Sequence, residues 1–464
     1  MKKTKRVTAL LLVIVMVISL QATGIFAQQS VEVEQPSIWA VEGVQWSAIY
    51  GLAQEEMYTN YTSKVTCKEL ATVSANLYKR ITGEEIASNN LAELSEPQRN
   101  ATRLEMVEVV YNVIKKAQPD FDFQSDIKLK FEDVNGLSED LLSIIKYSVS
   151  RGILNGRNDK ILDLSTACTR QELMVYAKNA YEFVVYEAGI DSKGAFWEVS
   201  YNDNTIYLLG SVHYADSSMY PLSKNILNAF EASDVLAVEA DLEKVEEAAT
   251  YMITKGMYQD GNTLDQNVPE EVYERFIEVI EPYGLQEEFY GKLKPWYAAL
   301  LITSLDAEEN SYSAGLGIDL FFTSKAIGTK EIIEIEGMEF QVDMFDSFSE
   351  ELQVEFLKGT LSSGGQEQSM EMMVELMEYW KTGNVEQLGR LVKGIDDEGD
   401  ESFQEFNKKM WEERDNNMTE KIKEYLVDSE NTYFVVVGAG HMVGDTGIIT
   451  QLEEEGIYEI VQVK

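Results

Sequence analysis

The stretch Thr205-Ile206-Tyr207-Leu208-Leu209-Gly210-Ser211-Val212-His213 and its counterpart Tyr433-Phe434-Val435-Val436-Val437-Gly438-Ala439-Gly440-His441 decide how this chain reads. Each is an apolar run of strand length that ends on a glycine, with a histidine three residues later. Such a run, without polar alternation, suits a strand buried on both faces of a parallel sheet. A glycine at its end is expected to let the backbone turn sharply. In open α/β sheets, sites form beyond the carboxyl ends of the strands. The chain contains two histidines, and both are in these stretches. Singly, each reads as an ordinary buried imidazole; the matched pair reads as one shared functional site.

Outward from these stretches, residues 195–464 alternate strands and helices. Phe196-Trp197-Glu198-Val199 and 205–209 flank Tyr201-Asn202-Asp203-Asn204, a strand-turn-strand signal. Helices are expected at 222–232, 270–283 and 296–305, and short strands at 235–238 and 332–335. A helical stretch covers 349–426 with breaks at Gly364-Gly365 and Gly394. Strand, helix and strand follow at 433–437, 448–455 and 458–463. This alternation predicts an α/β domain.

Acidic residues stand at the other strand ends: Glu239 and Asp241 after 235–238, and Glu336 after 332–335, with Glu339 and Gln341 beyond. A histidine pair with one or two carboxylates suits a divalent ion such as Zn2+, Mn2+ or Co2+. Such an ion lowers the pKa of bound water and polarises a carbonyl. Without a metal, a His–Glu pair could act as a general base. Among 80 acidic residues any one is ordinarily solvated surface, so strand-end position is what singles out Glu239 and Glu336 over Asp241 and Glu339. Arg414 lies on a helical stretch from Trp411 to Met418. It could clamp a substrate carboxylate or oxyanion, or simply pair with a neighbouring Glu. The domain has no phosphate-loop or dinucleotide fingerprint. No glycine-flanked nucleophilic serine occurs, and both cysteines fall before residue 187, so a serine or cysteine triad is not expected.

Met1-Lys2-Lys3-Thr4-Lys5-Arg6, an apolar run over 7–20 and a small-residue end at Ala27 predict a secretory leader over 1–27. The run is shorter than the roughly 20 residues of a membrane span; an uncleaved anchor is the alternative, and no later segment is expected to span a membrane. Cleavage removes four basic residues, so 39 basic against 80 acidic residues become 35 against 80, a net charge of −45. A polyanion of this size repels nucleic acid. Cys67 and Cys168 make no disulfide framework despite export, and whether they pair is open.

Residues 38–186 read as a separate, helical domain with a weak repeat, joined by a polar linker at 187–194. Thr66-Cys67-Lys68-Glu69, Thr102-Arg103-Leu104-Glu105 and Thr169-Arg170-Gln171-Glu172 are capping boxes, each followed by an amphipathic helix. The third is preceded by Phe131-Glu132-Asp133-Val134, a helix, and Gly152-Ile153. This pattern resembles S-layer homology repeats. The resemblance implies an all-α SLH-repeat domain that holds an anionic cell-wall polysaccharide at the cell surface, with Arg103 and Arg170 as contacts. Cys67 stands where the first repeat would have its Arg.

The C-terminal motifs carry a second resemblance. Tyr207-Leu208-Leu209-Gly210-Ser211-Val212-His213, Tyr220-Pro221-Leu222, Glu239, Lys294-Pro295-Trp296, Gly317-Ile318-Asp319, Glu336 with Gln341, Arg414-Asp415 and Val437-Gly438-Ala439-Gly440-His441 follow the order of the TraB/GumN family, which includes Tiki-type proteases. Ser211 and Asp415 depart from the family's usual Thr and Asn. The resemblance implies an α/β domain with an erythromycin-esterase/ChaN-like layout. It implies a site of His213, Glu239, Glu336, Arg414 and His441. His213, His441 and Glu239 would bind a divalent metal (Mn, Co or Zn), Glu239 would be ligand or base, Glu336 would orient or bind, and Arg414 would take the substrate. The expected function is therefore an exported, wall-attached hydrolase that cleaves extracellular peptides or proteins. Non-catalytic capture of a peptide such as a pheromone, and a metal-independent esterase, are the alternatives.

Overall fold

The computed structural model describes residues 34–87, 96–241, 245–309, 312–361, 365–393 and 401–464. The expected leader and the expected breaks at Gly364 and Gly394 lie outside the described residues. The chain forms two compact units that meet in sequence between Asp191 and Ser192. No described helix is long and apolar enough to cross a membrane.

The N-terminal unit is mostly helical: α1 (Val41–Ile49), α2 (Cys67–Thr82), α3 (Arg103–Ala117), α4 (Glu139–Ser150) and α5 (Arg170–Ala188). Helices α2, α3 and α5 each begin with a complete capping box, at Thr66/Glu69, Thr102/Glu105 and Thr169/Glu172. Each box satisfies two of the N–H groups that a helix start leaves open. The three segments leading into these helices also bond to one another. Val65 N–H donates to the Cys168 carbonyl at 2.9 Å, Cys168 N–H to Ala101 at 3.0 Å, and Ala101 N–H to Val65 at 2.8 Å. The cycle is closed.

Each capping-box glutamate also takes an arginine. Arg170 lies 2.7 Å from Glu69, Arg103 3.0 Å from Glu172, and Arg99 2.5 Å from Glu105. Cys67 occupies the first helical position that Arg103 and Arg170 hold elsewhere, and Arg99 supplies the missing cation. Cys67 and Cys168 are both buried free thiols, which answers the question of pairing. Arg103 is 5% exposed, and its other nitrogens donate to the carbonyls of Leu162 and Asn155. Arg170 donates to the carbonyls of Glu56 and Thr59. Both arginines therefore tie the repeats together. Within the segment expected as a linker, α5 runs through Ala188, Gly189 closes it in the left-handed conformation, and the boundary between the two units falls at Asp191–Ser192.

The C-terminal unit is α/β, built on six strands: β1 (Ala195–Tyr201), β2 (Asn204–Ser211), β3 (Val235–Val238), β4 (Glu331–Glu334), β5 (Tyr433–Gly438) and β6 (Glu459–Gln462). Their order is β4-β3-β5-β2-β1-β6. The run β4-β3-β5-β2 is parallel, so four carboxyl ends share one edge. Strand β1 is antiparallel to both its neighbours. Every residue of β5 is buried, as the unbroken apolar run predicts. Phe434 on β5 lies 4.9 Å from Phe322, 5.5 Å from Phe230 and 6.2 Å from Phe196, ring centre to ring centre, and anchors the sheet core.

The labelled helices around the sheet are α6 (Lys224–Ala232), α7 (Ile318–Ala326), α8 (Met338–Asp346), α9 (Gly365–Lys381), α10 (Val385–Lys393), α11 (Glu413–Val427), α12 (Ala439–Met442) and α13 (Ile448–Glu455). Trp380 at the end of α9 donates from Nε1 to the Gly210 carbonyl at 2.6 Å, which pins that helix over β2. The expected helix over 349–426 has a further break at Gly383, where φ is +64°. A residue with a Cβ is strained there, so the chain turns between α9 and α10.

Thr169→Ala is expected to lower stability by about 1 kcal/mol through loss of its cap. The shift of the urea midpoint followed by circular dichroism measures it.

Candidate functional site

Strands β2 and β5 are adjacent, and Ser211 pairs in register with Gly438. Their extensions carry His213 and His441 off the same sheet edge. The glycines serve this differently from the expectation of a backbone turn. Neither Gly210 nor Gly438 has positive φ; Gly438 sits at −50°. Space is what Gly210, and Gly440 beyond the second strand, supply. A Cβ on Gly210 would come within 2.8 Å of the Ala439 backbone, and one on Gly440 within 2.6 Å of the Trp411 ring. The two turns can thus lie against each other and against Trp411.

The ladder continues past β3 and β4. The Glu336 and Gly337 N–H groups donate to the Glu239 carbonyl at 3.1 and 2.8 Å, which holds the two glutamates side by side. Arg414, near the start of α11, joins their side chains. Its Nη2 is 2.9 Å from Glu239 and 2.7 Å from Glu336, and its Nε reaches both Glu336 oxygens at 3.0 Å. The remaining nitrogen faces Met410 Sδ at 3.9 Å. Arg414 is 3% exposed. It is bound to the two carboxylates, a pairing with glutamate of the kind the sequence leaves open beside a substrate clamp. A π-turn over Lys408–Glu412 precedes α11 and sets the phase of Trp411 and Arg414.

Glu239 is fully engaged. Gln341 on α8 donates to Oε2 at 3.0 Å, and the Gly438 N–H donates to Oε1. His441 Nε2 lies 4.0 Å from Oε1. Burial would raise the Glu239 pKa, but Arg414, then the two imidazoles and the Gly438 N–H, hold it well below the usual carboxylate range.

Each histidine has a carboxylate behind it. His441 Nδ1 is 2.6 Å from Asp415 Oδ1. His213 Nδ1 is 3.3 Å from Asp319 Oδ2, close enough to attract but not aligned as a hydrogen bond. Gly317 precedes Asp319 at the start of α7; a Cβ there would meet the His213 carbonyl at 2.4 Å. Burial disfavours the His213 imidazolium, yet Asp319 and then Glu239 outweigh burial and the repulsion of Arg414, and its pKa is raised.

The site brings together His213, Glu239, Glu336, Arg414 and His441, and adds Asp319, Gln341, Trp411 and Asp415. Of the other acidic candidates, Glu339 is exposed, and the Asp241 N–H is held by Glu334 at 2.8 Å. Among the described residues, no three His, Cys, Asp or Glu side chains form a ready metal cage. The donor chemistry nevertheless suits a divalent ion. Both imidazoles have Nδ1 turned to a carboxylate and Nε2 left for a ligand, the usual arrangement of metal-binding histidines. Beside His213 lies a cavity of about 10 Å3, roughly one water, lined in part by Met373 and Leu376 of α9 and Val392 of α10.

A family model described as TraB/PrgY/gumN matches residues 195–459. The chain is also 24% identical over 139 residues to the uncharacterized protein YbaP of Escherichia coli (strain K12), and equally to that of Shigella flexneri. Each match covers 30% of this chain, and the chain spans about half the length of these curated relatives.

Arg414→Met leaves two buried carboxylates without their cation and is expected to cost about 3–5 kcal/mol. Arg414→Lys keeps the charge but not the fork, and should recover part of that loss. Denaturant unfolding of the two variants beside the wild type measures both effects.

Proposed function

The chain belongs to the TraB/PrgY/gumN family through residues 195–459, and from that premise we propose that its C-terminal unit is a divalent-metal-dependent hydrolase that cleaves peptides outside the cytoplasm. The observation that carries this reading is the pair of buried imidazoles, each with a carboxylate near Nδ1, that extend with Glu239 from the ends of the neighbouring strands β3, β5 and β2. His213 Nε2, His441 Nε2 and Glu239 Oε1 are the atoms that would hold the ion. When bound, the ion would lower the pKa of a water and polarise a carbonyl. The parallel-strand edge that carries all these residues also fits the erythromycin-esterase/ChaN-like layout.

The chain's own residues prepare the site. Arg414 binds both Glu239 and Glu336 and so fixes two carboxylates in a buried place. Gln341 holds one Glu239 oxygen, leaving the other toward His441. Met373 and Leu376 of α9 and Val392 of α10 help enclose a cavity the size of one water beside His213.

The N-terminal unit is proposed to attach the protein to an anionic cell-wall polymer, as S-layer homology repeats do. Its three capped helices and closed cycle of loops support that reading. It also contains a cavity of about 830 Å3 lined by Trp39, Lys64, Arg103, Arg157 and Lys178 among others. Arg103 and Arg157 are held by Glu172 there, and Lys178 by Glu182. Lys64 is exposed and is the cation best placed to meet a polyanion. Lys64→Glu should weaken co-sedimentation with purified wall polymer several-fold.

The hydrolase reading is tested on the purified chain with a mixed peptide library, with Mn2+, Co2+, Zn2+ or chelator, and products read by mass spectrometry. Cleavage that needs the metal is expected. Its rate should fall in His441→Ala by more than the roughly 100-fold that loss of an outer-shell partner costs. Saturable, chelator-insensitive peptide binding without product would favour capture instead. Ester cleavage in chelator would favour the metal-independent esterase.

A further inference from the structure

Behind His441 the Asp415 carboxylate is itself held by Lys393 and Thr446, which the hydrolytic reading does not use. Asp415 is 0% exposed. Its Oδ1 faces His441 Nδ1 at 2.6 Å. Its Oδ2 accepts from Lys393 Nζ at 2.6 Å and from the Thr446 hydroxyl at 2.8 Å. Lys393 also donates to Thr446 Oγ1 at 3.0 Å, so that hydroxyl's own proton goes to Asp415. Trp411 covers the group, with its ring 5.0 Å from the His441 ring and 5.3 Å from Lys393 Nζ.

We propose that Asp415 is a positioning residue that fixes the tautomer of His441, and that Lys393 and Thr446 fix which way Asp415 can act. A carboxylate can only accept hydrogen bonds. The neutral His441 ring beside it must therefore carry its proton on Nδ1, which leaves a lone pair at Nε2. Glu239 competes for that proton from the opposite side. At 4.0 Å, however, it is beyond hydrogen-bond distance, and its Oε1 already accepts from Gly438. The near carboxylate wins.

The two donors at Oδ2 make this arrangement testable with an isosteric change. In Asp415→Asn the amide must place its oxygen toward Lys393, because an ammonium can only donate. Its NH2 group then faces His441 Nδ1, which has to accept. The ring proton moves to Nε2, and the lone pair toward Glu239 is lost. Removing the lysine as well frees the amide to turn over, since Thr446 can accept from NH2. The double variant Lys393→Met/Asp415→Asn should thus return part of the proton population to Nδ1.

Because the chain has two histidines, nitrogen-15 labelling of histidine gives two ring signal sets, and the His213→Asn chain assigns them. The experiment uses the metal-free full chain. Wild type should show His441 protonated at Nδ1, Asp415→Asn at Nε2, and the double variant a mixture in which Nδ1 reappears. A wild-type proton on Nε2, or on both nitrogens, overturns the proposal without any variant. So does an unchanged tautomer in Asp415→Asn. A double variant that keeps its proton on Nε2 overturns the role of Lys393. The inference rests on His441 being a site residue, but it is read without metal or substrate. Failure of peptide cleavage therefore leaves it standing, and a wrong tautomer in an active enzyme sinks it alone.

Discussion

Two carboxylates lie buried at adjacent strand ends because one guanidinium reaches both. Glu239 and Glu336 are brought side by side by the backbone ladder of β3 and β4, and without a cation that closeness would be strongly unfavourable. Arg414 compensates it with a planar fork whose donors span both groups. Once that contact exists, Glu239 has one oxygen fixed by Arg414 and Gln341 and the other turned toward Gly438 and His441. The position of α11 follows from the same contact, and with it the position of Asp415 behind His441. The fold here is organised around a buried charge balance as much as around its apolar core.

The sheet and the histidines were legible because their signals are local. An all-apolar run with glycine at its end can be read within nine residues, and the strand-end acids Glu239 and Glu336 follow from the same logic. The rest of the site comes from packing between distant helices. Lys393 and Asp415 are 22 residues apart, and Thr446 and Asp415 are 31 apart. No periodicity links them. Asp319 is visible within Gly317-Ile318-Asp319, but the reason for that glycine appears only when it lies against the His213 carbonyl. Gly210 reads as a turn former, and its actual service is room for the Ala439 backbone. Sequence patterns report conformational preference more readily than they report close approach.

In the N-terminal unit the departure at Cys67 shows what a repeat needs. The other two copies open their helices with an arginine that reaches another copy's capping-box glutamate. The first copy has a buried thiol in that place, and Glu105 is instead met by Arg99, from the segment just before its own helix. The chemical requirement, a cation on each capping-box glutamate, is kept while the residue supplying it moves. A reading that tracks positions alone records a lost arginine; one that follows each acid to its partner finds the replacement.

The closed cycle of Val65, Ala101 and Cys168 has a consequence for size. Stacked repeat proteins are open-ended: they can grow by a unit, and their first and last copies need polar caps. Here each lead-in segment gives one hydrogen bond to a neighbour and takes one from the other, so no copy is first or last. Three copies use up every donor and acceptor in the cycle. A fourth would have to break a bond to enter, and the loss of one would leave the remaining two each with an open valence. The number of capped segments that share this cycle is thus set by the geometry of closure.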